Sequence, residues 1–250
     1  MTEERAVSEV LGYVLVIGIV TITVGVVMTL GIGGLEAAQQ AEQINNMERG
    51  FDVLAHNVEE LADRNAPTRA TELRIATGSL SFGTPTTINV SVDDELVREQ
   101  SVVSEPIVYD SGTGTQIVYD SGAVIRSDGG YSTMLSEPRF IFANDTVLIG
   151  GIQTRPTAGT IESTSEPGTM LIRGEYLGTL VESENVEDKE AIVIDVETEY
   201  PQAWERYFRD QSIGSVTTNH QTVSLQIAVE DLNATEVQVV RTRTRITFSY

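Results

Sequence analysis

Two textures follow one another along the chain. The first opens with an apolar run, and no charged residue stands between Val10 and Leu35. As a helix, this run spans about 39 Å at 1.5 Å per residue, more than the roughly 30 Å hydrocarbon core of a bilayer. It is too long for the apolar segment of a secretory signal peptide, about 7–15 residues. The preceding MTEER is also acidic on balance, where a signal peptide is basic. A retained membrane helix over about 10–35 is the expectation. Gly18 and Gly25 fall near one helix face, where small side chains let another helix approach closely. Gly31, Gly33 and Gly34 predict a softened or kinked turn at the exit from the run.

Helical spacing continues past the apolar run. Ala37, Ala41, Ile44, Met47, Phe51, Leu54, Val58 and Leu61 recur at three- and four-residue intervals. They form an amphipathic stripe, with Glu36, Glu42, Glu48, Arg49, Asp52, Glu59 and Glu60 on the polar side. No proline precedes Pro67. The pattern predicts one helix over 7–63, roughly 85 Å long, with its second half a stalk. Such a stripe docks on the following domain, joins a coiled coil, or divides between the two. His56 lies off the stripe and reads as a helix residue rather than a ligand.

After Asn65-Ala66-Pro67 the second texture begins, with short alternating runs broken by Gly, Pro, Asn, Asp and Ser. Strands are predicted at 72–76, 79–82, 87–92, 96–103, 106–109, 116–119, 139–142, 146–149, 168–173, 192–196, 222–229 and 236–248. Hairpins are predicted at Gly83-Thr84-Pro85, Asp93-Asp94, Asn144-Asp145 and 231–234. The motif IVYDSG occurs at Ile107 and again at Ile117, with Gly112-Thr113-Gly114 as a turn between the copies. Two copies are too few for a solenoid, so they read as a duplicated strand-and-turn unit. Asp110 and Asp120 as paired calcium ligands is the sharper reading, but the spacing of known calcium loops is absent. One segment departs from β texture. Pro201 suits a first helical position, and Ala203, Trp204, Tyr207 and Phe208 follow at helical spacing, predicting a short core helix over 201–210. The fold class is therefore α+β: a long N-terminal transmembrane and stalk helix, then a β-rich, sandwich-like extracellular head over 68–250.

Charge narrows the function. Asp and Glu number 37 against 16 Lys and Arg, a formal net charge of −21. That surplus argues against a nucleic-acid partner, because little is left to neutralise a phosphate backbone. Lys189 is the only lysine; the other basic residues are all arginine. Acid excess with little lysine suits a protein working in concentrated salt, where charge repulsion is screened within about 3 Å at 1 M. There is no cysteine, which excludes disulfides and thiolate chemistry. His56 and His220 are the only histidines, too few for most histidine metal sites. No nucleotide, hydrolase or metalloprotease motif occurs, so no enzymatic activity, cofactor or metal is expected. The run Glu182, Glu184, Glu187, Asp188, Glu190 reads as a solvated face. Arg241, Arg243 and Arg245 alternate with Thr242 and Thr244, so a strand presents all three on one side. They read as surface ion pairing and edge protection, or as a docking patch for an acidic neighbouring subunit or glycan. Asn89, Asn144 and Asn233 head N-x-S/T sequons, which are candidate glycosylation sites.

The opening residues, from Arg5-Ala6-Val7-Ser8 through Glu9-Val10-Leu11-Gly12 to Gly18, resemble the N-terminus of archaeal type IV pilin-like proteins, haloarchaeal ones in particular. Glu9 stands where that family usually has proline, and Leu11 where it has isoleucine. The segment Tyr200-Pro-Gln-Ala-Trp-Glu-Arg-Tyr-Phe208 is also similar to one in haloarchaeal pilin-like proteins. The resemblance implies a short leader over 1–6, removed by a prepilin-type peptidase on the cytoplasmic side. The cut falls after Ala6, with Val7 as the first mature residue. It also implies a membrane location and other pilin-like subunits as partners, in a filament whose core is built from the apolar helices. A head of about 185 residues exceeds what a plain filament repeat needs, pointing to a structural or accessory subunit. The alternative is an unprocessed single-span anchor presenting a binding head for glycan or surface-layer contact. A membrane-tethered hydrolase requires a convergent carboxylate pair in a deep head pocket. Arg5 is the sole basic residue before the span, and the acidic head is easier to place outside.

Overall fold

The computed structural model describes residues 3–63, 66–97, 101–143 and 145–250, and the side chains of all of these except 3–10 and 30–33. The chain divides into two compact units, residues 1–45 and Asn46–Tyr250. The boundary falls inside one helix, α1 (Glu3–Ala62). The helix predicted over 7–63 is one continuous helix, and its part from Asn46 onward belongs to the β-rich unit.

In the first unit α1 is unbroken at Gly31, Gly33 and Gly34, so the glycines do not end the helix. Its threonine hydroxyls bond within it. Thr21, Thr23 and Thr29 each donate to the carbonyl four residues back, at 2.8 Å. These bonds leave the three threonines needing no partner outside the helix.

The second unit holds three sheets. The first runs, side by side, β1 (Thr68–Ile75), β13 (Gly168–Asn185), β17 (Glu236–Ser249), β11 (Thr146–Pro156) and β10 (Arg139–Phe142). The second runs β12 (Ser163–Thr164), β2 (Ser79–Phe82), β6 (Ile107–Asp110), β7 (Thr115–Asp120), β8 (Ala123–Asp128) and β9 (Tyr131–Ser136). The third runs β15 (Ser215–Asn219), β16 (Thr222–Ala228), β14 (Ala191–Glu197), β3 (Thr86–Val92) and β4 (Glu95–Leu96), with β5 (Val102–Ser104) also on β3. β11 and β17 pair in parallel. The β-rich part expected as sandwich-like is built of three sheets.

Alternation builds the core. Ile88 and Val90 of β3, Ile192 and Ile194 of β14, and Leu225 of β16 point inward from the third sheet. They share a core with Val147, Ile149, Val237 and Val239 of the first sheet. The two sheets come very close at Gly151. A Cβ there would lie 2.6 Å from a methyl of Val102, so only glycine fits. The helix α2 (Pro201–Asp210) caps this core with Ala203, Trp204, Tyr207 and Phe208 buried, as its spacing predicted. Phe140 of β10 meets Trp204 at 5.8 Å and Tyr207 at 6.1 Å between ring centroids. Ser132 of β9 accepts from the backbone N–H of Ala203 at 3.0 Å, satisfying one of the orphan donors at the start of α2.

The lower part of α1 docks on the sheets. Met47, Phe51, Leu54, Ala55, Val58 and Leu61 are buried, whereas Ala37 and Ala41 higher on the same stripe are exposed. A Cβ on Gly50 would lie 2.5 Å from Leu73 of β1, and one on Gly174 of β13 would lie 2.6 Å from Leu61. Asn57 donates to the Thr71 hydroxyl at 2.8 Å. Ion pairs frame the seam: Glu60 with Arg69 at 2.8 Å, and Glu48 with Arg126 at 2.7 Å. Arg139 also pairs with Asp63. Of the fates open to the stripe, docking is the one taken from Met47 onward.

The tandem repeat forms β6 and β7, which pair with each other, Ile107 opposite Tyr119 and Tyr109 opposite Ile117. Each copy ends in a glycine of positive φ, Gly112 at 74° and Gly122 at 101°. The Asp93-Asp94 turn is also as expected, with both residues in the left-handed region that a tight hairpin requires. Two other predicted hairpins are not hairpins. Gly83-Thr84-Pro85 carries the chain from the second sheet to the third, because β2 pairs with β6 and β12 while β3 pairs with β14. The 231–234 segment overlaps a short helix, α3 (Val229–Leu232), ended by Asn233 at φ 46°. It links the third sheet to the first. The strand predicted over 96–103 is split between β4 and β5. β8, β9, β12 and β15 were not predicted, while β11 and β13 run well beyond their apolar stretches because β17 supplies pairing partners along their length.

Candidate functional site

The apolar segment of α1 is the most unusual surface. Large side chains from Leu11 to Met28 stand half exposed or more, on every side of the helix. The helix is long and apolar enough to cross a membrane, and none of its most apolar window is buried within the chain. A Cβ added at Gly18 or Gly25 would meet no atom within 4 Å. The backbone satisfies itself, so the surface asks for apolar surroundings and for nothing polar. Residues 1–2 of the expected leader lie outside the described residues. Ala6 and Val7 lie on the helical backbone, and their side chains are outside the description.

In the second unit the arginines gather. Register along β17 places Arg241, Arg243 and Arg245 on one face, as the alternation predicted. Their setting differs from expectation. β17 is an interior strand between β13 and β11, so edge protection is not their role. Arg241 is only 5% exposed and donates to the Ser101 carbonyl at 3.4 Å. Arg245 pairs with Glu175 at 3.1 Å. Arg243 turns over the neighbouring Gly178, with Nη2 3.4 Å from the place a Cβ would take. Parallel pairing then brings in Arg155 of β11, a residue sequence reasoning passed over. Arg155, Arg241 and Arg243 line one cavity of about 290 Å³, with Ser101, Gln153 and Leu180. Arg155 and Arg243 make no ion pair among the described residues. In a chain of net charge −21, this concave surface is locally basic and attracts negative charge.

The two repeat aspartates do not converge. Asp110 accepts from the Gly112 backbone and from Gln116, in the β6–β7 turn. Asp120 sits at the other end of β7, fully buried. It accepts from the Thr86 hydroxyl at 2.6 Å and from Ser121 at 3.0 Å. Thr86 is also within 3.2 Å of Thr198, so the cluster ties the β7–β8 turn to the third sheet. Burial pushes the Asp120 carboxyl up to about 6, against the two hydroxyls that favour its ionised form. Its surroundings are those of a structural acid, locked by threonine and serine rather than open to a ligand.

The remaining candidates are dispersed. In the acidic run from Glu182 to Glu190, Glu187, Asp188 and Glu190 are exposed and Glu182 and Glu184 half-buried, a largely solvated edge. Among the described residues no group of three or more His, Asp or Glu is arranged to hold a metal ion. Asn89 lies in the middle of β3 opposite Asp195, with its Oδ1 buried, rather than at a strand end. Asn233 is exposed at the end of α3. Asn144 lies outside the described residues.

Fold and surface together define an α+β protein in which one long, lipid-compatible helix feeds directly into a three-sheet β unit. The chain belongs to a family of unknown function (DUF7289), whose model matches residues 5–247. No curated protein matches the chain, and no solved structure does.

Proposed function

We propose that the chain is a pilin-like cell-surface subunit of a halophilic archaeon, a structural or accessory member of a type IV pilus-like assembly. The upper part of α1 lies in the membrane, and the β-rich unit is on the outer side. One observation carries the reading: apolar side chains from Leu11 to Met28 are exposed all round a helix whose threonines bond only to its own carbonyls. In water such a surface costs about 25 cal/mol for each Å² left wetted, so it requires lipid or other helices. Leader removal after Ala6 frees Val7 and lets these helices bundle, with close approach at Gly18 and Gly25. The acid surplus keeps the outer unit hydrated in strong salt.

The test is carbonate washing of native membranes followed by N-terminal sequencing of the retained protein. The expected result is retention, with Val7 first. Retention with Met1 intact replaces the pilin reading by the unprocessed single-span anchor. Release of full-length protein into the wash overturns both.

A further inference from the structure

The β13 strand has two neighbours along less than a third of its length. β1 pairs with it from Gly168 to Glu175, and β17 pairs with it from Leu171 to Asn185. Beyond a bulge between Tyr176 and Gly178, the segment from Gly178 to Asn185 pairs with β17 alone among the described strands. It therefore presents a row of backbone donors and acceptors along one open edge, a ready template for another strand. The edge is not purely polar. Val181 is 62% exposed and Leu180 41%.

Charge along this edge has a pattern. Gly178, Leu180, Glu182 and Glu184 share the face that carries Arg241 and Arg243, because Gly178 lies opposite Arg243 and Leu180 opposite Arg241. Basic and acidic groups thus lie at opposite ends of one short strand segment. Turning a second copy by a half turn about Val181 sets Val181 opposite Val181, Glu182 opposite Leu180, and Glu184 opposite Gly178. Gly178 has no side chain, and the Arg243 guanidinium already lies over it. A carboxylate arriving from the far side of Gly178 meets that guanidinium directly. Parallel alignment does not produce this match, since it stacks glutamate on glutamate.

We propose that the Gly178–Asn185 edge pairs antiparallel with the same edge of a second copy, and that Glu184 of each enters the arginine pocket of the other. The interface is isologous: a two-fold axis at Val181 repeats every contact. It extends the first sheet across two molecules. Main-chain hydrogen bonds provide the adhesion, and the Glu184 to Arg243 pairs fix the register. This inference stands apart from the pilin reading, since it concerns only the second unit.

The chain lacks cysteine, so a single introduced thiol reports on this contact alone. Full-length Val181→Cys, purified in detergent, is oxidised mildly and run without reductant. A control, Tyr131→Cys, places a still more exposed thiol on β9 in a different sheet. The expected disulfide-linked dimer is about tenfold more abundant for Val181→Cys, because a two-fold antiparallel pair sets these Cβ atoms about 4.5–5.5 Å apart. Adding Glu184→Arg or Arg243→Glu to Val181→Cys lowers the yield about fivefold, and carrying both reversals in one chain restores it to within about twofold. Equal yields at 181 and 131 overturn the proposal, since crowding of the apolar helices in a micelle then explains the link. A dimer unaffected by single reversals, or not rescued by the double one, overturns the assigned register.

Discussion

Between Leu11 and Met28, α1 turns apolar side chains outward on every side; between Met47 and Leu61 the same helix hides its apolar stripe and shows its acids. The backbone is identical in kind. The difference is the arrangement of side chains around it. The upper part is apolar all round, so no single neighbour can cover it, and only a surrounding solvent of low polarity or several helices can. The lower part is apolar on one stripe, so one layer of sheet is enough. The comparison also separates two uses of glycine. Gly50 and Gly174 are filled to contact by Leu73 and Leu61, whereas Gly18 and Gly25 face open space within the chain.

The largest expected effect comes from truncating the buried stripe. Phe51→Ala removes a ring with no exposed surface and should cost about 3–5 kcal/mol of the β-rich unit's stability. Denaturant unfolding followed by the fluorescence of Trp204, the only tryptophan, measures it. Ile17→Ala in the upper part should leave the same transition within about 0.5 kcal/mol. Similar losses from both would erase the distinction between the two parts.

Protonation sharpens it next. The Asp120 carboxyl, ordinarily near 3.8, stands at about 6 in the folded chain. The folded state therefore holds this proton more tightly than the unfolded one. Its favourable contribution is full below about pH 4, drains away between pH 4 and 6, and is absent above, a change of about 3 kcal/mol. Asp120→Asn should remove that slope, so that the variant gains on the wild type across this window in pH-dependent unfolding. The apolar run from Val10 to Leu35 contains no charged residue, and its truncations should leave the slope unchanged.

A smaller contrast tests the glycines. Gly50→Ala forces a methyl group against Leu73 and should cost about 1–3 kcal/mol, read as a lower unfolding midpoint. Gly18→Ala and Gly25→Ala should leave that midpoint in place. Smallest is the seam ion pair. Arg126→Ala loses its contacts with Glu48 and Asp128, all partly exposed, and should cost about 1 kcal/mol or less, shrinking further when measured in 1 M salt.

Some of this is legible in the sequence alone. Ala203, Trp204, Tyr207 and Phe208 announced a helix and its buried face, since helical periodicity is a local property that a short window reports in full. The docking of Met47 to Leu61 was one of three fates left open, because a stripe states that it needs a partner without stating which. The arginines show where local reading stops. Their shared face followed from alternation, but the interior place of β17 did not, because β17 takes β11 and β13 as neighbours from far earlier in the chain. Arg155 joins the pocket through that parallel pairing and carries no local mark of it. The same holds for Asp120, whose repeat twin Asp110 stands in the same IVYDSG motif yet is only half-buried, at a turn. Gly83-Thr84-Pro85 looked like a hairpin because turn chemistry is the same whether the chain returns to its own sheet or crosses to another.

By itself, the order of residues determined a long helix, the apolar character of its upper part, the acid surplus and a β-rich remainder, all of which depend on neighbours a few positions apart. Only the tertiary structure decided that the last part of the helix, from Asn46, belongs to the β unit, that three sheets share the work of burial, and that Arg155, Arg241 and Arg243 meet around one cavity. Those outcomes depend on which distant strands pair, and strand pairing is settled by the fit of whole faces against one another rather than by any single stretch of chain.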